Sequence, residues 1–161
     1  MTPATVRPAA HGDIPQLLTL VRRYWDYEHI GGFEALRVEL LLKQLLSDPR
    51  LGAACVAEAE GRLTGYLIAV TVLSLEHGGL MAEIDELFVV PEARAHGVGT
   101  RLLDAAEAVL AARGFVRLQL QLAVANAAAR EFYERRGYRA RAGYRLLDKA
   151  LAGARTAPGL S

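Results

Sequence analysis

Apolar residues at Ile14, Leu17, Leu18, Val21 and Trp25 recur at helical spacing, so residues 14 to 27 are read as an amphipathic helix. Asp13 stands as its N-cap, Pro15 lies in its first turn, and Gln16 is at the capping-box position. Gly31 and Gly32 break the pattern. A second helix is expected over 34 to 46, with Val38, Leu41, Leu42 and Leu45 on one face, and Ser47-Asp48-Pro49 ends it. The period then changes. Val6 to Ala9 reads as a short first strand, ahead of both helices. Ala53 to Glu58 and Leu63 to Val72 read as strands joined by a turn at Glu60-Gly61, which makes a hairpin. Met81 to Val90 is a further strand, halted by Pro91. A loop and a helix follow. Leu102, Leu103, Ala106, Val109 and Leu110 form the buried stripe of that helix, and Gly114 caps it. Val116 to Leu122 alternates strictly, as a half-exposed strand does. Asn126 starts a helix to Arg136, capped by Gly137. Tyr138 to Ala140 and Tyr144 to Leu151 read as last strands, and the chain from Ala152 reads as a frayed tail.

The resulting order is β-α-α-β-β-β-α-β-α-β-β. Met81 to Leu122 is a strand-helix-strand unit and should be a right-handed parallel crossover. The rest pairs as hairpins. The expectation is an α/β chain, mixed α+β in character: a mixed, mostly antiparallel sheet with helices on both faces.

The chain has 161 residues, which fits one domain with a core over about 4 to 151. Hydrophobic residues make up 52% and charged residues 23%, so no compositional signal of disorder arises. The net charge is +1. Proteins that live on nucleic acid carry a basic excess, and this chain has none overall, so no nucleic-acid partner is expected. Arg130, Arg135, Arg136, Arg139, Arg141 and Arg145 make the C-terminal third locally basic. They form either a solvated face or contacts to a polyanionic ligand. Cys55 is the single cysteine, which excludes an internal disulfide and suggests a buried, inert thiol. The four histidines lack metal-ligand spacing, and no metal site is expected. No apolar run approaches the roughly 18 residues that cross a bilayer, so the default is a soluble cytoplasmic protein away from the membrane.

Chemistry concentrates in Arg94-Ala95-His96-Gly97-Val98-Gly99-Thr100, between a strand and a helix. Two glycines let the backbone turn tightly and come close to a ligand. Free amides at a helix N-terminus point at an anion, and the helix dipole adds to the attraction. The dinucleotide fingerprint fails, because its third glycine position holds Leu102. The Walker pattern fails too, since no Gly-Lys-Ser/Thr occurs. On its spacing alone the loop is an anion cradle of unspecified ligand.

The stretch from Glu83 to Gly99, with Val89-Val90-Pro91 ahead of Arg94-x-x-Gly97-x-Gly99, resembles the central motif of the GNAT superfamily of acyl-CoA-dependent N-acetyltransferases. Asn126-Ala127-Ala128-Ala129-Arg130-Glu131-Phe132-Tyr133-Glu134-Arg135-Arg136-Gly137-Tyr138 resembles that family's Asn-x-x-Ala-x-x-x-Tyr-x-x-x-Gly-Phe segment. The resemblance implies acetyl-CoA as co-substrate and a sheet whose central parallel strands splay apart. It implies that the amides of Ala95, His96, Gly97, Val98, Gly99 and Thr100 hold the pyrophosphate, with Arg94 also among the cofactor-binding residues. Backbone groups of Leu87, Phe88 and Val89 would pair with pantetheine, Asn126 would contact the pantetheine arm, and Tyr133 would lie near the thioester sulfur. Homodimers are frequent in such a family.

Amine attack on a thioester sets three demands. The amine must lose a proton, because an alkyl ammonium with a pKa near 10.4 is not a nucleophile at neutral pH. Charge developing on the carbonyl oxygen must be stabilised. The leaving thiolate benefits from a proton. Tyr133 suits the last demand, or else simply packs beside Phe132. Glu83, Asp85 and Glu86 cluster on one strand, and strict alternation puts Glu83 and Asp85 on one face with Glu86 pointing away. Glu83, six residues before Val89, resembles the base position of the histone-type branch. Where other branches carry a glutamate on the next strand, this chain has Gln121, which favours Glu83 as base, directly or through a water, with Asp85 next. The alternative is that these carboxylates bind a cationic substrate or are solvated. Tyr24-Trp25-Asp26-Tyr27-Glu28-His29 mixes aromatic and acidic groups suited to an ammonium, with Trp25, Glu28 and Asp85 as candidate substrate contacts. The acceptor is a small-molecule or peptide amine. A non-catalytic acyl-CoA-binding module and a protein-modifying acetyltransferase are the competing readings.

Overall fold

The computed structural model describes residues 2–154. The chain divides into two units, Met1–Leu120 and Gln121–Ser161. The first holds the sheet, five strands in the order β1-β2-β3-β4-β5. These are β1 (Thr5–Pro8), β2 (Gly52–Ala59), β3 (Arg62–Ser74), β4 (Gly79–Val89) and β5 (Arg117–Leu120). The first four pair antiparallel and β4 pairs with β5 in parallel, as the strand-helix-strand pattern implies.

Helix α1 (Ile14–Tyr27) and α2 (Ala35–Ser47) lie on one face. Ile14, Leu17, Leu20 and Val21 of α1 join Val38 and Leu42 of α2 over Ala54, Val56, Tyr66, Ile68 and Phe88 of the sheet. The residues that alternate with these on the strands, Cys55, Ala57, Leu67 and Ala69, are equally buried. Helix α3 (Val98–Ala112) packs on that second face with Leu102, Leu103, Ala106 and Leu110. Both faces of the central strands are therefore covered, which explains why β2 and β3 read as near-continuous apolar runs. Cys55 is buried, and burial pushes its thiol pKa up, against a smaller opposing pull from Arg113.

The start of α1 departs from the capping-box expectation. Asp13 is the N-cap residue, but its side chain makes no cap bond to the helix. Its carboxylate takes a forked pair from Arg7, both at 2.8 Å, and a bond from the Ala10 amide at 2.7 Å. Gln16 reaches sideways instead, accepting from the Leu63 amide at 2.9 Å. A charge-assisted fork outcompetes a single cap bond. On α2, Leu41 is exposed while Leu45 packs against the core, so the buried stripe is narrower than its spacing implies.

The second unit carries α4 (Ala127–Arg135). The strands expected at 138–140 and 144–151 do not form. A left-handed Gly143 breaks that stretch, and Tyr144, Leu146, Leu147 and Leu151 are all exposed. Alternation yields a strand only where one face is covered and a neighbour takes the backbone bonds. Of the tail expected to fray, Ala152 and Gly153 form a turn and 155–161 lie outside the described residues.

Candidate functional site

Strand β4 is the backbone of the site. It pairs with β3 along its whole length, out to Gly65↔Val89. On its other edge it pairs with β5 only from Met81↔Arg117 to Ile84↔Leu120. Beyond Ile84 that edge has no strand beside it in the first unit, so the main chain of Leu87, Phe88 and Val89 offers ladder positions to an extended ligand. The pairing stops where β5 itself ends, at Leu120. One position on the edge is in use: the Val89 carbonyl accepts a bond from Arg94 Nε at 2.9 Å.

From Val89 the chain passes through a short turn, Pro91–Ala93, into the loop. Ala95 and Gly97 are both left-handed, with φ of 64° and 73°. An alanine there is strained by about 1 kcal/mol, and such strain gathers at ligand clamps. Gly97 is the N-cap of α3. The first-turn amides of Val98, Gly99 and Thr100 have no carbonyl within the helix to bind, and the positive end of the dipole coincides with them. The His96 ring nitrogen Nδ1 lies 2.7 Å from the Arg94 carbonyl, which folds that side chain onto the loop. The Arg94 guanidinium stacks on Tyr27 at 4.9 Å and Phe88 at 5.7 Å, and so ties the loop to the end of α1.

A cavity of about 920 Å3 opens beside this loop, walled by Leu20 and Arg23 of α1, by Arg62 and Leu63, and by His96 and Arg101. No carboxylate of β4 lines it. Two of its cations are engaged: Arg23 pairs with Glu92 at 3.2 Å and Arg101 donates to the Ala4 carbonyl at 2.6 Å.

The acidic residues of β4 are arranged differently from strict alternation. Ile68 faces Glu86 and Ala69 faces Ile84, so Asp85 is the extra residue of a β-bulge. Val70 is opposite Glu83. Ile68 and Val70, two apart on an unbulged stretch of β3, share a face, and both pack with the α1–α2 core. Glu83 and Glu86 therefore share that face as well. The expectation that Glu83 and Asp85 stand together with Glu86 turned away is corrected here, because one bulged residue inverts the parity of everything before it. Glu83 accepts a bond from Gln119 Nε2 at 3.2 Å. Asp85 is exposed, yet surrounding protein raises its carboxyl pKa, and the Glu83 charge adds to the rise.

Glu86 is the carboxylate of this cluster that strict alternation turned away from Glu83. Its Oε1 accepts from the Tyr66 hydroxyl at 2.8 Å and its Oε2 from the Trp25 indole Nε1 at 2.8 Å. Burial pushes its carboxyl up to about 7. The bonds from Tyr66 and Trp25 pull against that rise and the Asp85 charge adds to it. Tyr66 is fully buried, and burial followed by the neighbouring Glu86 charge drives its phenol far above the ordinary value. The available signal in the sequence was the pair Asp85-Glu86, two acids in succession inside a strand that otherwise buries apolar groups. Trp25 is half-buried against Phe33 and the core, while Glu28 is exposed.

In the second unit, Asn126 caps α4 by accepting from the Ala129 amide at 3.1 Å. Tyr133 is the buried residue of that helix, edge-on to Phe132 at 5.0 Å and Tyr138 at 5.5 Å. Burial pushes its phenol up to about 12, so it stays protonated at neutral pH.

The profile of the acetyltransferase (GNAT) family matches residues 14–138. An uncharacterized N-acetyltransferase of Bacillus subtilis, YhfO, is 29% identical over 139 residues, covering 86% of this chain and 92% of that one. Another, from Archaeoglobus fulgidus, is 33% identical over 130 residues, 80% of this chain and 88% of its own. Among solved structures, an integron cassette protein from the mobile metagenome of Cole Harbour Salt Marsh is 28% identical. It superposes with a TM-score of 0.80 over 92% of this chain and 91% of its own.

Proposed function

The chain belongs to the acetyltransferase (GNAT) family, and from that premise we propose that it moves an acetyl group from acetyl-CoA to a primary amine of a small molecule or peptide, by direct attack in a ternary complex. One observation carries the reading. The unpaired edge of β4 at Leu87, Phe88 and Val89 leads within a few residues to the left-handed Gly97 and the free amides of α3. An extended pantetheine amide can pair with such an edge, and a pyrophosphate suits the amides that follow it. The acyl carbonyl then lies against the end of β4 where Glu83, Asp85 and Glu86 cluster. The likeness of the α4 segment to the family's second motif supports Asn126 as a pantetheine contact and Tyr133 as the proton donor to the leaving sulfur. The Tyr133 phenol keeps its proton at neutral pH, as a donor must. A carboxylate of β4 serves as base.

No helix among the described residues is long and apolar enough to cross a membrane. We place the reaction in the cytoplasm, with a homodimer as the assembly to look for by light scattering. The test of function is release of free thiol from acetyl-CoA across a panel of alkyl amines, polyamines, aminoglycosides and lysine peptides. Thiol release that depends on one amine class supports the reading. Thermal stabilisation by coenzyme A with no thiol release over the whole panel would favour a binding module instead.

A further inference from the structure

Direct attack by an amine needs a group to take its proton, so far given only as a carboxylate of β4. The inference here rests on the acetyl-transfer reading and names that group. We propose that Glu86, clamped between the Tyr66 hydroxyl and the Trp25 indole at the β4 bulge, binds the acceptor as its ammonium and takes its proton.

The geometry separates Glu86 from its neighbours. Each of its carboxylate oxygens is fixed by one neutral donor at 2.8 Å. A carboxylate has about four lone-pair sites, so each oxygen retains one for a further N–H. The donors fix its position without neutralising its charge. No cation among the described residues pairs with it. A half-buried carboxylate with neutral partners is an unfilled place for a cation, and an alkyl ammonium is the cation this reaction brings. Glu83, by contrast, accepts from Gln119, and lies beyond the bulge where β5 still flanks β4. Asp85 is exposed. Glu86 stands where β4 has just lost β5, two residues before Phe88, on the face covered by α1.

The surroundings are consistent with a base that works near neutrality. The groups that act on Glu86 are Tyr66 on β3, the Trp25 indole of α1 and Asp85 on β4; Tyr24 of α1 acts on Tyr66, and Glu83 on Asp85. The α2 residues of that core, Val38 and Leu42, carry no charge, and Arg94 is stacked on Tyr27 and Phe88. Burial outweighs the two bonds, and the carboxyl titrates at about 7. A base matched to the working pH is both deprotonated enough to accept and basic enough to pull. Two protons must leave an ammonium for an amide to form. One passes to Glu86 and on to solvent. The other ends on coenzyme A sulfur as the carbon–sulfur bond breaks and the carbon–nitrogen bond forms.

Trp25 is the only tryptophan in the sequence and is bonded to Glu86, so its fluorescence reads the titration directly. Emission is followed over about pH 5 to 9 in wild type, Glu86→Gln and Glu83→Gln, with and without n-butylamine as probe. Coenzyme A binding to each variant checks the fold and the loop. The expected result is a midpoint at about 7 in wild type and in Glu83→Gln. That midpoint should fall when n-butylammonium is present, and Glu86→Gln should give no transition. With whichever panel amine supports thiol release, Glu86→Gln should lower kcat/KM on the order of 100-fold and lose its rise through pH 7, while Glu83→Gln keeps that rise. A transition that persists in Glu86→Gln, or a midpoint unmoved by n-butylammonium, overturns the proposal. Failure of coenzyme A to bind even wild type would sink the acetyl-transfer reading itself, and the fluorescence titration still decides whether Glu86 holds an ammonium.

Discussion

Trp25 and Glu86, 61 residues apart in sequence, are joined by a 2.8 Å bond from the indole nitrogen to the carboxylate. The bond fastens the end of α1 to the bulge of β4. Its partner on the other oxygen is Tyr66, which is fully buried. Tyr66→Phe should therefore act on Glu86 more than on packing. With one stabilising bond gone, the Glu86 titration should move above 7. Removing a hydrogen bond to a charged group costs about 1.5–3 kcal/mol, and that cost should appear at pH 8.5 and shrink at pH 5.5, where the carboxyl is protonated. Urea unfolding of both proteins at the two pH values checks this. An equal loss at both would remove the charge from the explanation.

The same carboxyl makes stability depend on pH in wild type. Its folded pKa of about 7 is raised above the ordinary 4.5. A raised acid contributes stability that is fully present below the unfolded pKa and is lost as pH rises through the folded one. The window is therefore about pH 4.5 to 7. A rise of that size is worth about 3.4 kcal/mol at most. Glu86→Gln should flatten that slope, because its amide can accept from Trp25 and donate to a Tyr66 hydroxyl that reverses its role. Chemical denaturation of Glu86→Gln and wild type across that window is the measurement, and parallel curves would contradict the assignment.

Arg7 gives the opposite sign. It forks onto Asp13 and also reaches Glu58 at 2.6 Å. The Arg7 bonds hold the Asp13 carboxyl below the usual range, against the opposing effect of burial. Arg7→Ala leaves Asp13 as a nearly buried charge without its main partner, at a cost of about 3 kcal/mol at pH 7. A depressed acid contributes stability above its unfolded pKa and loses it as pH falls. The difference between Arg7→Ala and wild type should shrink toward pH 3 in thermal or urea melts.

Gly97 tests the loop. Its φ of 73° is unfavourable for any residue with a Cβ, while a Cβ there would meet nothing within 4 Å. Gly97→Ala should thus cost about 1 kcal/mol of stability through strain and not through clash. Gly97→Arg should keep the fold with a similar penalty but place a long side chain over the α3 amides. Coenzyme A affinity by calorimetry should fall for Gly97→Arg, and an unchanged value would remove the loop from the site.

Much of this was legible in the sequence because it depends on period. The bounds of α1, the hairpin of β2 and β3, the parallel crossover and the tight glycine turn ahead of α3 all follow from spacing and turn chemistry. What spacing does not register is one inserted residue. The bulge at Asp85 leaves no mark on composition, but it moves Glu83 to the face of Glu86 behind a correct-looking alternation. Long-range partners are equally invisible. Nothing near Gln16 says that it will accept from Leu63 rather than cap its own helix. The last strands failed because their alternation has no covered face to bury.

Tyr133→Phe separates chemistry from binding. The residue is buried within its own unit and keeps its ring contacts to Phe132 and Tyr138 when only the hydroxyl is lost. With a phenol pKa of about 12, the wild-type group is a donor throughout the neutral range. The leaving thiol has a pKa near 8.5 and departs fairly well unaided, so the loss should be modest for acid catalysis, roughly 10- to 100-fold in kcat. The KM for acetyl-CoA should change little, because a transition-state proton is not a ground-state contact. The rate deficit should narrow with acyl donors whose thiols are more acidic, since these need the proton less. Steady-state kinetics with two such thioesters measures that trend. A deficit that falls on KM alone would make Tyr133 a packing residue, and the proton on sulfur would then come from solvent.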